Sequence, residues 1–257
     1  MAKERRKIMI AGQLWIGSQY RVAHQLDPTN RRSAKAQISA PAKEAANARK
    51  SFEKLMLQIA CNFRPTDSVI TLTYRDACLP RTKEESDKRL SAFVRLFRAS
   101  RKEAGLELRY IRVTEGYHSF GRFHHHLIIN RTVSDIDTIR ELWQRNGSDI
   151  DIRPLKAGPP PDPFAPKKRA ASSPDNFYAS WARYLAKEPL EKGRRRVGER
   201  MWRASLGMQR PTIIYSNVSE SDILAPPPGA FALDTVACNN EFGHFATITA
   251  MLPEAPN

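Results

Sequence analysis

Two histidines at alternate positions give this sequence its clearest potential for chemistry. His124 and His126 precede the apolar run Leu127-Ile128-Ile129, which is typical of a strand in a packed sheet. Because successive side chains of a strand point to opposite faces, these imidazoles share one face, about 6–7 Å apart. Two imidazoles so spaced can bind one metal ion at about 2.1 Å per nitrogen. His125 takes the opposite face, where leucine should be tolerated.

Glu115 is the candidate for a third ligand. Residues 108–115 and 122–130 read as two strands joined by a glycine-bounded turn. In an antiparallel hairpin, opposed positions have a constant sum of residue numbers, and an odd sum puts Glu115 on the face of His124 and His126. The turn is compatible with odd and even sums. The sequence therefore permits this ligand without requiring it, and an isolated pair of alternate histidines is common in ordinary strands.

The donor set indicates which metal the site would hold. Two imidazoles and one carboxylate suit Mn²⁺ better than Mg²⁺, because imidazole is softer than the ligands Mg²⁺ prefers, although abundant Mg²⁺ could also serve. A zinc hydrolase with two histidines and one glutamate is an alternative interpretation. The HExxH sequence typical of many such enzymes is absent.

The elements that must position these residues predict an α+β fold, with helices packed on an antiparallel sheet. Four segments with alternating or β-branched apolar residues are predicted strands: 69–74, 108–115, 122–130 and 149–153. Four segments with apolar residues at helical spacing are predicted helices: 42–60, 83–104, a segment capped by Ser134, and 175–188.

The last predicted helix carries a second pair of reactive residues. Its apolar stripe repeats every four residues and should be buried: Phe177, Trp181 and Leu185. Tyr184 and Lys187 lie beside that stripe, three positions apart, so they project as neighbours from one side. Asp175 can cap this helix and Pro189 should end it.

The charge is placed unevenly along the chain. All 42 Lys and Arg residues lie at or before Arg210, with 22 of the 27 acidic residues, which leaves +20 on residues 1–211 and −5 on the rest. Such a field favours a polyanion, most simply nucleic acid. A non-enzymatic basic binder would share this charge but would need neither Glu115 nor the histidine pair. The candidate phosphate contacts are Arg95, Arg98, Lys192, Arg194, Arg195 and Arg196.

Composition also predicts the domain organisation. We expect a flexible basic arm at 1–40, one domain at 41–211 with a Pro-rich flexible loop at 157–173, and an acidic tail at 212–257. Three cysteines without paired spacing predict reduced thiols and a cytoplasmic protein. The sequence has no run of 18 apolar residues, so no membrane association is expected.

Taken together, residues 55–211 resemble the HUH-endonuclease replication initiators of rolling-circle plasmids and filamentous-type phages. Three motifs carry the resemblance, in the family's order: the strand Val69–Tyr74, the run Gly121–Leu127 with Glu115, and the helical Tyr184-Leu185-Ala186-Lys187. The middle residue of the HUH motif is usually apolar, and here it is histidine. Conjugative relaxases resemble the reverse motif order.

The resemblance implies a palm-like (RRM-like) core and a metal-dependent transesterification on single-stranded DNA. Tyr184 would be the nucleophile and Lys187 its helper, with Glu115, His124 and His126 as metal ligands. Tyr178 is about 240° away around the helix, which favours a single-tyrosine mechanism. The partners implied are a single-stranded replication origin and a host helicase and polymerase. A single-tyrosine transposase of the same superfamily would share this site.

Overall fold

The computed structural model describes the chain in eight segments: 4–21, 41–116, 122–146, 150–160, 176–191, 202–219, 221–240 and 243–253. Their elements, in chain order, are β1 (Glu4–Ala11), β2 (Leu14–Arg21), α1 (Pro41–Asn62), β3 (Ser68–Thr73), α2 (Lys83–Glu103), β4 (Tyr110–Glu115), β5 (His124–Ile129), α3 (Asp135–Trp143), β6 (Ile150–Pro154), α4 (Phe177–Glu191), β7 (Arg203–Ala204), β8 (Thr212–Val218), β9 (Phe231–Asn240) and β10 (Gly243–Met251). Within these segments, no helix has both the length and the apolar character that crossing a membrane requires.

Two compact units divide the chain. One comprises Asn62–Met208, and the other combines Met1–Cys61 with Gln209–Asn257. Each contains a five-stranded sheet whose described strand pairs are all antiparallel. Antiparallel sheets with packed helices confirm the predicted α+β class.

The unit Asn62–Met208 has the strand order β6-β3-β5-β4-β7. The four strands and four helices predicted from the sequence are all present, with ends that differ by a few residues. Ser134 precedes α3 but caps it with no side-chain hydrogen bond, because its backbone is already helical. The Asp135 carboxylate instead accepts a hydrogen bond from the Thr132 amide at 2.6 Å.

One face of this sheet is covered by α2 and α3. The apolar stripe predicted for α2 is buried, with Leu90, Phe93, Val94 and Phe97 each at most 4% exposed. These side chains pack with the even-numbered residues of β3 and with Trp143 from α3 in one apolar cluster. The indole of Trp143 donates to the Thr73 carbonyl at 2.8 Å, which ties α3 to the sheet.

The opposite face of the sheet contacts α4. Trp181 and Leu185 are buried as predicted, whereas Phe177 is half-buried and its neighbour Tyr178 is 1% exposed. The Trp181 indole donates to the Leu155 carbonyl at 2.7 Å. Asn176 caps the helix, since its side-chain oxygen accepts from the Ala179 amide at 3.0 Å.

The end of α4 differs from the prediction. The helix runs three residues past the predicted end, to Glu191, because a proline in the last turn removes only one backbone hydrogen bond. The predicted cap Asp175 lies outside the described residues.

The second unit differs from the arm and tail expected at the chain ends. Residues 4–21 form β1 and β2, and the predicted tail supplies β8, β9 and β10 to the same sheet, in the order β8-β1-β2-β10-β9. Trp15, Leu224 and Ala250 form the buried cluster on this sheet. Residues 22–40 of the predicted arm, and residues 161–175 within and beyond the predicted Pro-rich loop, lie outside the described segments.

A tight turn joins β1 to β2. Ala11 pairs with Leu14, so the loop has only two residues. Gly12 has φ +55°, and a Cβ there would lie 2.3 Å from the carbonyl oxygen of Ala60 in α1. The turn therefore requires glycine, both for its backbone angle and for the close approach of α1.

Candidate active site

The pairing of β4 with β5 brings Glu115 to the two histidines. Glu115 is directly opposite His124, and Val113 is opposite His126, so the sum of opposed residue numbers is odd. Glu115, His124 and His126 therefore share a face of the sheet. The register that the sequence left open is the one that a three-ligand site needs.

The three side chains converge on one point. The Glu115 carboxylate oxygen Oε2 lies 3.2 Å from Nε2 of His124 and 3.5 Å from Nε2 of His126. One ligand atom from each residue lies within 4.8 Å of the other two. Glu115 is 4% exposed and His126 is 2% exposed, whereas the His124 side chain is 27% exposed. The cluster is thus buried on two sides and open at His124.

The chemistry of this donor set fits a divalent cation. It offers two imidazole nitrogens and a carboxylate oxygen, which are ligands for Mn²⁺, Zn²⁺ and related ions. A buried carboxylate beside two imidazoles is costly unless positive charge compensates it, from a protonated imidazole or from a cation. The residues present can therefore hold the metal that the sequence predicted.

Gly116 allows β4 to approach the start of β5. Its φ is +114°, a conformation that residues with a side chain rarely adopt. A Cβ at this position would lie 2.4 Å from the Arg122 carbonyl oxygen. Glycine immediately after Glu115 therefore keeps this carboxylate next to His124.

A third strand supports the cluster from the other side of β5. Thr71 of β3 is opposite His126, and its hydroxyl oxygen lies 3.1 Å from Nδ1 of that imidazole. This threonine was not among the residues predicted from the sequence. The signal was present, because Thr71 and Thr73 alternate in an otherwise apolar strand and so share the face of the histidines.

His125 lies on the opposite face, as predicted, but in a polar network rather than a neutral apolar site. It is fully buried. The Thr114 hydroxyl donates to Asp87 at 3.0 Å, so it accepts from Nδ1 of His125, also at 3.0 Å. Nε2 is then the acceptor for the Tyr74 hydroxyl at 2.7 Å.

The protonation states in this network follow from burial. Burial lowers the pKa of His125 well below its ordinary value, with the nearby His124, His126 and Arg112 adding to the effect, so the imidazole is neutral. Burial also raises the pKa of Tyr74 to about 12, so its hydroxyl keeps the proton that it donates. The network holds the strand that carries both candidate ligands.

Tyr184 contacts the cluster from α4. Its ring meets the ring of His126 edge-on, with 5.2 Å between centroids and 73° between planes. Trp181 packs against the other side of the tyrosine at 5.7 Å, and Tyr184 itself is half-buried. The Lys187 side chain lies outside the described residues.

Tyr178 occupies a different environment from Tyr184. It is 1% exposed, and its hydroxyl donates to the Phe63 carbonyl at 3.5 Å. A hydroxyl enclosed in this way serves the core of the unit, while Tyr184 is the tyrosine that contacts a candidate ligand.

The candidate DNA contacts do not join this cluster. Arg95 and Arg98 are exposed on α2, which covers the sheet face opposite to that of His126. The Arg98 guanidinium lies 5.6 Å from the ring centroid of Tyr110 on that side. Lys192, Arg194, Arg195 and Arg196 lie outside the described residues.

Comparison with known proteins agrees with these observations. Residues 67–188, just under half of the chain, match the family model described as Replication-associated protein ORF2. Searches of curated proteins and of solved structures find no significant match. The match confirms the resemblance to replication initiators. The chain therefore carries a domain of this replication-associated protein family, and that domain contains the whole of the candidate site.

Proposed function

We propose that this protein nicks and rejoins single-stranded DNA through a 5′-phosphotyrosine intermediate, and that this reaction initiates rolling-circle replication. The observation that supports it best is the edge-on contact of Tyr184 with His126, within the cluster that also holds Glu115 and His124. A phenol next to a set of cation ligands is what transesterification of a phosphodiester requires. The family match supports the replication role.

Glu115, His124 and His126 would hold the metal. We propose Mn²⁺, with Mg²⁺ as the alternative in the cell. When bound, such a cation polarises the scissile phosphate and neutralises charge that develops in the transition state. The contribution of the chain is a set of ligand atoms already within 4.8 Å of one another, so that little conformational freedom is lost on binding.

Tyr184 would carry the covalent step. Its phenolic oxygen attacks the phosphorus, the bond from phosphorus to the 3′ oxygen breaks, and that oxygen takes up a proton to become a free 3′-OH. The tyrosine loses its proton and keeps the 5′-phosphate. Because one phosphoester replaces another, the reverse attack by a 3′-OH rejoins the strand without a nucleotide triphosphate. Packing against Trp181 and His126 restricts the orientation of the phenol.

Lys187 would assist the tyrosine. An unperturbed tyrosine has a pKa near 10, so attack at neutral pH requires help with its proton. An ammonium group three residues away on the same helix can lower the pKa of the phenol or hold the phosphate. Both roles predict that replacing Lys187 slows cleavage.

Binding to DNA would depend on the basic part of the chain. The +20 charge on residues 1–211 attracts the phosphate backbone, and Lys192, Arg194, Arg195 and Arg196 are the proposed contacts near the end of α4. Arg95 and Arg98 would contact only DNA that passes the other face of the sheet. No GxxxxGK[ST] loop is present, so a host helicase would unwind the duplex and a host polymerase would extend the 3′-OH, in the cytoplasm.

A gel assay tests the proposal. The protein is incubated with Mn²⁺ and a 5′-labelled or 3′-labelled single strand from the origin of its own replicon. We expect a covalent adduct that retains the label on the 3′ side of the nick, together with a released fragment ending in 3′-OH. EDTA should abolish both products. Cleavage of transposon ends but not of an origin would instead identify a single-tyrosine transposase, and cleavage without any adduct would identify a hydrolase.

A further inference from the structure

The two candidate histidine ligands are held in unequal ways. Nδ1 of His126 lies 3.1 Å from the hydroxyl oxygen of Thr71, and the imidazole is 2% exposed. Nδ1 of His124 lies 3.5 Å from the Arg122 carbonyl oxygen, at the limit of a hydrogen bond, and this side chain is 27% exposed. His126 is thus fixed by a hydroxyl from the neighbouring strand, and His124 is not.

The hydrogen bond to Thr71 bears on which nitrogen of His126 binds a cation. Nε2 is the nitrogen that faces the Glu115 carboxylate, at 3.5 Å. An imidazole that binds a cation through Nε2 must carry its proton on Nδ1. A threonine hydroxyl can accept that proton and leave Nε2 as a lone pair directed at the cluster.

We propose that Thr71 is a positioning residue for the metal site. It accepts a hydrogen bond from Nδ1 of His126 and thereby presents Nε2 to a divalent cation, while His124 adjusts to the cation from the open side. This inference rests on the proposed metal site formed by Glu115, His124 and His126. Partners of this kind fix the tautomer and the ring orientation of a histidine ligand, and their loss typically lowers metal affinity about 10–100-fold.

Two substitutions at Thr71 separate hydrogen bonding from packing. Thr71→Val keeps the shape and the preference for a strand but removes the hydroxyl, whereas Thr71→Ser keeps the hydroxyl. Mn²⁺ affinity of the full-length protein is measured by the loss of the free-ion electron paramagnetic resonance signal. We expect Thr71→Val to weaken binding at least about tenfold and Thr71→Ser to restore most of the loss.

A matched control lies on the other face of the same sheet. Thr114→Val also removes a hydroxyl that bonds an imidazole of β5, but that imidazole is His125, which faces away from the cluster. Thr114→Val should lower the stability to urea at least as much as Thr71→Val does, yet leave Mn²⁺ affinity unchanged. If hydroxyl loss acted only through folding, both valine variants would lose affinity together.

The outcomes distinguish this inference from the proposed function. If the parent protein binds Mn²⁺ and Thr71→Val binds it equally well, Thr71 has no role in positioning and only the inference fails. Equal losses in Thr71→Val and Thr71→Ser, or in Thr71→Val and Thr114→Val, would overturn it as well. If the parent protein binds no Mn²⁺ while His126→Ala behaves identically, the metal site itself is refuted, and the inference with it.

Discussion

The ring of Tyr184 meets the imidazole of His126 edge-on, with 5.2 Å between their centroids. His126 comes from the central strand β5, and Tyr184 comes from the helix that packs on the same face of the sheet. The contact fixes the proposed nucleophile next to the proposed cation ligands before any substrate binds. A change that displaces β5 or α4 should therefore impair cleavage even when it leaves every reactive group in place.

Replacing either histidine of the cluster should abolish cleavage. We expect His124→Ala and His126→Ala each to weaken Mn²⁺ binding at least about tenfold, which is about 1.4 kcal/mol, because each removes one ligand. Calorimetry of metal binding and the adduct assay measure the two effects. His244→Ala in the other unit is the control and should change neither. Full cleavage by His126→Ala would contradict the assignment of the ligands.

His125→Leu should destabilise the protein while sparing the metal site. The substitution leaves the Tyr74 hydroxyl without the acceptor it has at 2.7 Å, and it removes the donor to Thr114. Loss of one partner of a buried hydrogen bond costs about 1–3 kcal/mol. Urea unfolding followed by tryptophan fluorescence measures the loss, and Mn²⁺ affinity should change much less.

Adding Tyr74→Phe to His125→Leu tests the same network from the other side. The double variant removes donor and acceptor together, so it should be more stable than His125→Leu alone. A single variant with the stability of the parent protein would show that the network contributes nothing to folding.

Gly116→Ala should disrupt the cluster through the backbone. The added Cβ would meet the Arg122 carbonyl at 2.4 Å in a conformation, φ +114°, that alanine avoids. The resulting shift separates Glu115 from His124, so Mn²⁺ affinity should fall at least about tenfold. Gly105→Ala is the matched control, since Gly105 also has a positive φ but has nothing within 4 Å of an added Cβ. It should cost about 1 kcal/mol of stability and leave affinity intact.

Neutralising the basic run after α4 should change the salt dependence of DNA binding. Replacing Arg194, Arg195 and Arg196 together by glutamine should reduce the slope of log K against log salt by up to about 0.7 for each phosphate that is no longer neutralised. Fluorescence anisotropy with a single-stranded oligonucleotide measures the slope. Arg95→Gln with Arg98→Gln is the comparison, and cleavage by this pair should persist because α2 lies across the sheet from the cluster. An unchanged slope in the triple variant would assign the run to solvent.

Local periodicity was enough to predict the unit that holds the site. Leu90, Phe93, Val94 and Phe97 lie on one side of α2 because a helix must bury one stripe, and that pattern is visible in the sequence. The register of Glu115 was not predictable in this way. It depends on how the chain turns between Gly116 and Arg122, and a glycine-bounded turn permits both parities.

Long-range pairing explains why the sheet at the chain ends was not predicted. Residues 4–21 read as a basic arm because the partners of β1 and β2 include β8 and β10, which lie near the other end of the chain. A local signal was present, since Gly12 separates two short apolar runs that form a hairpin. The predicted tolerance of His125→Leu was likewise based on the face alone. The structure reveals the hydrogen bonds to Tyr74 and Thr114 that argue against it.

Peptide mapping of the covalent adduct tests the central claim most directly. The protein is reacted with the origin strand and Mn²⁺, digested with nuclease and protease, and analysed by mass spectrometry for a tyrosine that carries a 5′-nucleotide. We predict that the nucleotide is on Tyr184, that Tyr184→Phe binds DNA and Mn²⁺ without forming an adduct, and that Tyr178→Phe still forms it. A nucleotide on Tyr178, or cleavage with no modified tyrosine, would contradict the account.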